Sequence, residues 1–285
     1  MRLIPFTLVT ALTLQGCVQT IAIRTVGGIM EYGFEAFNEE SDLELARTAL
    51  GSNLKLIEAM IKGDPDNDQL LLFASQGYNA YSLSFAEDDS VERARVLYLR
   101  GREYALRILK HDQAFAEACD QDLETFTKAL DELDEDAVPA AFWTAFGWGS
   151  YINITRTDLS ALADLGKVNA LMVFVRKRDP GYYHSGADLY LGSVYGSLPP
   201  MLGGRLEASR EHFERAIDAT GGTFLMAYVY YAKTYAVQTQ DQELFTTLLQ
   251  KVADTPLNVR PELRLANAVA KQKARRLLAR VNELF

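Results

Sequence analysis

Along most of this chain the apolar residues recur with the three-and-four spacing of a helix, and strand-like alternation is scarce. Ile21, Val26, Ile29, Met30, Phe34 and Phe37 make one such stripe. Ser41-Asp-Leu-Glu44 has the form of a capping box, in which side chains satisfy the free amides of a first helical turn. The helix it predicts carries Ala46, Leu50, Leu54, Ile57 and Ile61 on one face, and Gly63-Asp-Pro65 stops it. A second helix is predicted around 68–86, ending at Glu87-Asp-Asp-Ser90. Ser90 is placed to cap a third, with Val91, Ala94, Leu97, Tyr98, Gly101, Tyr104, Ala105 and Ile108 facing inward. The acidic run Asp131–Asp136 reads as a loop, and Pro139 suits the first turn of the helix after it. Later breaks fall at Asp179-Pro-Gly181, Leu198-Pro-Pro-Met-Leu-Gly-Gly204, Gly221-Gly222, Thr255-Pro256 and Pro261. Breaks about 15–25 residues apart have the rhythm of stacked helical hairpins. The expected fold is all-α, a degenerate tetratricopeptide-like solenoid.

The repeat itself can be followed, loosely, through the sequence. Its pattern places small residues where paired helices approach closely and large ones in the gaps between them. Trp143-x2-Phe146-Gly147 fits the first half, and Ala161-x3-Leu165-x2-Val168 is a loose second half. Leu191-Gly192-x2-Tyr195 fits again and is completed by Ser209-x3-Phe213-x2-Ala216. Tyr231-Ala232-x2-Tyr235 opens another copy, and Ala74-Ser75-x2-Tyr78 with Ala94-x3-Tyr98-x2-Gly101 is an earlier one. Most rings in these copies read as core. Tyr and Trp also suit the wall of a cavity for an amphipathic ligand, having an apolar body and a polar tip. The residues assigned to such a cavity are Trp143, Trp148, Tyr151, Asn153, Tyr190 and Tyr195.

Composition narrows the classes. The 285 residues are 48% hydrophobic and 24% charged, with a formal net charge of −9. Such a chain can build a core, and it lacks the excess of clustered Lys and Arg that general nucleic-acid binding needs. From Asp112 to Asp136 every ionised residue except Lys128 is acidic, whereas Lys271, Lys273, Arg275, Arg276 and Arg280 make a basic face near the end. Both read as solvated faces.

The first 16 residues, MRLIPFTLVTALTLQG, have the short apolar run of a secretory signal and end in Leu14-Gln15-Gly16-Cys17. That is the form of a bacterial lipobox, with a small residue before the cysteine that takes the lipid. The expected organisation is a signal peptide, 1–16, and one helical domain, 17–285, tethered through Cys17. Several acyl chains, each contributing ~0.8 kcal/mol per buried methylene, hold a protein stably where one would not. Val18 and Gln19 supply no Asp-type retention signal, which favours the outer over the inner membrane. Cys119, the other cysteine, reads as a small buried hydrophobe.

Catalytic patterns are scarce. His111, His184 and His212 lie far apart, and the acidic residues beside His212 read as a helix-surface charge pattern rather than a metal site. Gly203-Gly204 and Gly221-Gly222 lack the strand and the Lys-Ser/Thr of a phosphate loop, and there is no Gly-x-Ser-x-Gly elbow. No cofactor, metal or catalytic residue is assigned, and the chain is read as a non-enzyme.

Several segments together resemble a known family. They are Phe142-Trp143-Thr-Ala-Phe-Gly-Trp148, the Asp179-Pro-Gly-Tyr-Tyr183 turn, and Leu191-Gly-x2-Tyr195-x2-Leu198-Pro-Pro-x-Leu-Gly-Gly204 with Ala208-x4-Phe213-x2-Ala216. The tail from Pro261 through Arg264-Leu265-x-Asn267 to Leu284-Phe285 belongs with them. The chain is similar to the T-component family of tetratricopeptide-associated TRAP transporters, departing from its pattern at Arg205, where an acidic residue is usual. The resemblance implies a helical periplasmic lipoprotein, homo-oligomeric and without ATP use, that docks the system's substrate-binding protein. It also implies a cavity that passes a hydrophobic or organic-acid ligand. The alternative is a repeat lipoprotein that scaffolds envelope or outer-membrane protein assembly.

Overall fold

The computed structural model describes residues 31–155 and 158–285, and regular structure among them is helical throughout. The segment 1–16 and Cys17 lie outside the described residues. The chain passes through α1 (31–38), α2 (Leu43–Gly63), α3 (Asp68–Tyr81, continued as a π-helical turn over Ser82–Ala86) and α4 (Val91–Leu109). The short α5 (Gln113–Ala118) and α6 (Leu123–Asp131) lead to α7 (Val138–Ile154), α8 (Leu159–Ala163), α9 (Leu165–Arg178) and α10 (Tyr182–Ser197). The last are α11 (Leu206–Ala219), α12 (Met226–Tyr231, continued as a π-helical turn over Ala232–Ala236), α13 (Gln242–Asp254), α14 (Arg264–Leu278) and α15 (Val281–Leu284).

Packing follows sequence. α2 packs on α3, α3 on α4, α4 on α7, α7 on α9, α9 on α10, and the run continues through α11, α12 and α13 to α14. This is the expected stack of helical hairpins. At its centre is α7, which buries Ala140, Ala141, Phe142, Trp143, Ala145 and Trp148 against α3, α4, α9 and α10. A helix with no continuous polar face has to be interior.

Local chemistry sets the ends. Ser41 was expected to cap α2, but the cap is Asp42, whose Oδ1 accepts from the amides of Glu44 (2.9 Å) and Leu45 (3.1 Å). Glu40 takes the amides of Ser41 and Asp42 instead, both at 2.7 Å, so the helix starts one residue later than the box requires. Ser90 caps α4 as expected, accepting from the Arg93 amide. Of that helix's expected inward face, Ala94, Tyr98, Gly101 and Ala105 are buried, whereas Val91, in the first turn, is exposed. The acidic run after α6 contains a 3-10 turn, Glu135–Ala137, with the Asp134 carboxylate accepting from the Asp136 amide. Cys119 is buried, and burial pushes its thiol pKa up.

The stack curls until its ends meet. α14 packs against α2, and Leu265 shares a core with Ala46, Leu50 and Tyr78. Lys273, expected on a solvated basic face, is only 7% exposed, and its Nζ lies 3.0 Å from Asp88 Oδ2 at the end of the first hairpins. Arg276 joins the same carboxylate, and Arg264 donates to the Glu39 carbonyl at 2.9 Å. Removing the acid leaves a buried ammonium without its partner. Asp88→Ala is therefore expected to cost roughly 2 kcal/mol, below the range for fully buried pairs because Arg276 is half-exposed. A urea midpoint unchanged from the parent would show that this pair does not hold the seam.

Candidate ligand cavity

The curled stack forms a partly open cavity of about 1040 Å³ whose wall draws on residues from Phe34 in α1 to Val269 in α14. Pockets of this size hold a whole small organic molecule. The lining is mainly apolar, and Glu87 and Lys233 are its charged members. Neither charge stands bare. Glu87 accepts from the Tyr98 hydroxyl at 2.6 Å, and Lys233 Nζ sits 4.3 Å from the centre of the Tyr230 ring. Phe34 also stacks on Phe73 at 4.6 Å, so α1 lies over one edge of the cavity, held by aromatic contact.

The residues assigned to a cavity from sequence divide. Trp143, Asn153 and Tyr190 line it. Tyr190 contributes its ring, because its hydroxyl donates to Asn169 Oδ1 at 2.9 Å. The other assigned residues are placed elsewhere. Trp148 is buried under the Arg102 guanidinium (4.9 Å), and Tyr151 packs near Arg95. Tyr195 is sandwiched between His212 and Arg205, whose guanidinium carbon stands 3.9 Å above the ring. That contact gives Arg205 a place in the turn. The turn also explains its glycines. Gly203 adopts φ 94°, and a Cβ on Gly204 would fall 1.8 Å from the Leu198 carbonyl oxygen, so no side chain fits there.

Sequence reasoning missed the most unusual part of the wall. Tyr183, His184 and Ser185 at the start of α10 all have left-handed backbones, with φ of 44°, 60° and 58°. L-residues pay roughly 1–2 kcal/mol each in that region and visit it singly, not as a run. Surrounding rings offset the cost. Tyr183 packs on Trp143 (4.6 Å between centroids), Phe142 (5.2 Å) and Phe224 (6.4 Å), and His184 packs on Phe224 (4.7 Å). Each such pair contributes about 0.5–1.5 kcal/mol. Tyr183 and His184 both line the cavity. The tyrosine is 38% exposed, yet enclosure by protein pushes its phenol up to about 12. Both facts hold if its open face meets the cavity and not the exterior. Burial, helped by Arg260, lowers the His184 pKa, so its imidazole is neutral at neutral pH. The signal available in the sequence was Gly181-Tyr-Tyr-His-Ser-Gly186, aromatic residues bracketed by glycines.

A buried polar cluster lies behind this wall, on the far side of α10. Asp188, 4% exposed, accepts from His212 Nδ1 (2.6 Å), Arg176 Nε (3.1 Å) and Arg215 Nε (3.3 Å). Glu207 and Glu211 form the expected surface charge pattern with Arg210 and Arg215, but His212 itself is buried, since α11 turns it towards α10. Among the described residues no group of three or more His, Cys, Asp and Glu is placed to hold a metal ion. No described helix is long and apolar enough to cross a membrane.

Comparison with known proteins adds two findings. A family model described as TRAP transporter T-component matches residues 39–285. A protein of Treponema pallidum (strain Nichols), described as an uncharacterized protein, is 26% identical over 268 residues, covering 87% of this chain and 82% of that protein.

Proposed function

The chain belongs to the TRAP transporter T-component family, and from that membership we propose that it is a non-enzymatic accessory subunit whose cavity takes up an amphipathic or apolar ligand. The family is a transport component and not a family of enzymes. The observation that carries the ligand reading is the cavity of about 1040 Å³, mainly apolar and lined by residues from α1 to α14. In this reading the protein works in the periplasm, one domain from residue 17 onward, held at the outer membrane by lipid on Cys17. It docks the system's substrate-binding protein, acts as a homo-oligomer, and passes or senses the ligand without ATP.

A single experiment addresses tether and partner. The full chain, tagged at its C-terminus, is expressed in a host carrying the membrane and binding subunits of a TRAP system. Membranes are washed with carbonate, solubilised and affinity-purified. The expected result is membrane retention of the parent, release of Cys17→Ser to the soluble fraction, and co-purification of the binding protein. Retention of Cys17→Ser after the wash sinks the anchor. Recovery of outer-membrane assembly factors without the binding protein sinks the docking role and points to the scaffold alternative.

A further inference from the structure

The left-handed turn at 183–185 sets two polar-tipped rings side by side on the cavity wall, with 5.3 Å between the centroids of Tyr183 and His184. Among the described residues, neither the Tyr183 hydroxyl nor the His184 imidazole makes a hydrogen bond; both pack through their rings, and His184 also feels the opposed charges of Arg260 and Glu262. Several other polar groups of the wall are already engaged, with the Ser193, Ser197 and Thr234 hydroxyls held by helix carbonyls, whereas the amides of Gln76 and Gln238 stand on ordinary right-handed helix. Tyr190 spends its hydroxyl on Asn169, Glu87 holds Tyr98, and Lys233 lies over Tyr230. A strained backbone persists where the surroundings over-determine it, and such strain clusters at ligand contacts. Here the surroundings are the rings of Phe142, Trp143 and Phe224.

We propose that Tyr183 and His184 are the cavity's recognition pair, donating hydrogen bonds to the accepting head of an amphipathic ligand whose apolar body lies against Phe142, Trp143 and Phe224. The head is a carboxylate or carbonyl oxygen. The proposal rests on the reading of the cavity as a ligand site. It is consistent with protonation, since burial keeps the phenol protonated and the imidazole neutral, so each has a proton to give. It also separates two functions of one segment. The rings clamp the backbone, and the polar tips read the ligand.

The test uses the full chain purified in a Cys17→Ser background, so that no detergent competes for the cavity. Two fluorescent probes are titrated: cis-parinaric acid, which has a carboxylate head, and N-phenyl-1-naphthylamine, which has none. Tyr183→Phe keeps the ring and its packing. It is expected to weaken cis-parinaric acid about 10- to 100-fold, the loss of one hydrogen bond to a charged acceptor, and the naphthylamine less than about 2-fold. His184→Phe keeps a ring against Phe224 and removes both ring nitrogens, so it is expected to weaken cis-parinaric acid while changing the naphthylamine less than about 2-fold. Unchanged affinity for cis-parinaric acid in both variants overturns the proposal. So does an equal loss for both probes, because that assigns the pair to packing. If the parent binds neither probe, the cavity reading fails first. If the parent binds and the variants match it, the recognition pair fails alone.

Discussion

Gly147→Ala is expected to lower the melting temperature by roughly 6–12 °C, from an overpacking cost of about 3 kcal/mol at the point where three helices meet. A Cβ on Gly147 would stand 2.7 Å from Asn79 Oδ1, 2.8 Å from the Tyr98 carbonyl oxygen and 3.0 Å from the Arg102 amide nitrogen. The last two atoms are backbone of α4 and cannot swing aside, so α4 and α7 have to separate. Separation also stretches the bond from Asn79 Nδ2 to the Trp143 carbonyl, now 3.2 Å. Gly149→Ala in the same helix is a graded comparison. Its Cβ would meet ring and methyl atoms of Tyr190 (2.9 Å) and Val168 (3.2 Å), which can shift. Gly33→Ala meets nothing within 4 Å and is expected to be neutral or slightly stabilising, because alanine favours a helix. Thermal unfolding followed by circular dichroism ranks the three. A melting temperature for Gly147→Ala equal to that of Gly33→Ala would mean that α4 and α7 do not approach this closely.

Gly147 also shows what could be read before the structure. The repeat pattern asks for a small residue where paired helices touch, and Trp143-x2-Phe146-Gly147 supplied it. Periodicity placed the α2 face correctly, because Ala46, Leu50, Leu54, Ile57 and Ile61 all point one way on a 3.6-residue helix and all are buried. Such signals are local, needing only neighbours within a few turns. The identity of what meets Gly147 was not local. Asn79 comes from a helix far back in the chain, and nothing in its own surroundings marks it as the residue between α4 and α7. The curl that joins Lys273 to Asp88 was hidden for the same reason, since a basic stripe on an isolated helix looks solvated until another element covers it.

The cavity was half legible. Aromatic clustering pointed to the right helices, and Trp143 and Tyr190 are on the wall. It could not say which side of each helix faces inward, so Trp148 and Tyr195 were grouped with them although each packs under an arginine. Tyr183 and His184 were passed over because periodicity assumes a right-handed backbone, and theirs is left-handed. Rules of helical spacing fail at a left-handed turn, and here it lies on the wall proposed to meet the ligand.

Asp188→Ala is expected to destabilise the protein by about 3 kcal/mol at neutral pH, and by less in acid. The carboxylate joins α9 through Arg176, α10 through its own backbone and α11 through His212 and Arg215. Its loss leaves the buried His212 ring, 9% exposed, without its acceptor and beside Arg176 and Arg215, the latter keeping, among the described residues, only Glu211 at 3.7 Å as an acidic partner. The figure sits at the low end for broken buried pairs because both arginines are 42% exposed and can turn to water. The pH dependence follows from competing influences on this group. Burial pushes the Asp188 pKa up, but the hydrogen bond from His212 and the charge of Arg176 outweigh it, and the net shift is downward. A carboxyl lowered by folding contributes stability that is complete above its unfolded pKa, about 3.9 for Asp, and is lost as pH falls through the folded value. The gap between the urea midpoints of parent and Asp188→Ala should therefore be open at neutral pH and close below about pH 4, as the carboxylate protonates. A gap that persists undiminished below about pH 3 would mean that the protonated acid holds the cluster as well as the carboxylate does. Asp188 lies one turn beyond Ser185 on α10, so the same variant frees the helix that carries Tyr183 and His184. Loss of probe binding in Asp188→Ala, together with its loss of stability, would place the cluster as the support behind the recognition turn; full binding at reduced stability would show that the aromatic clamp holds the turn alone.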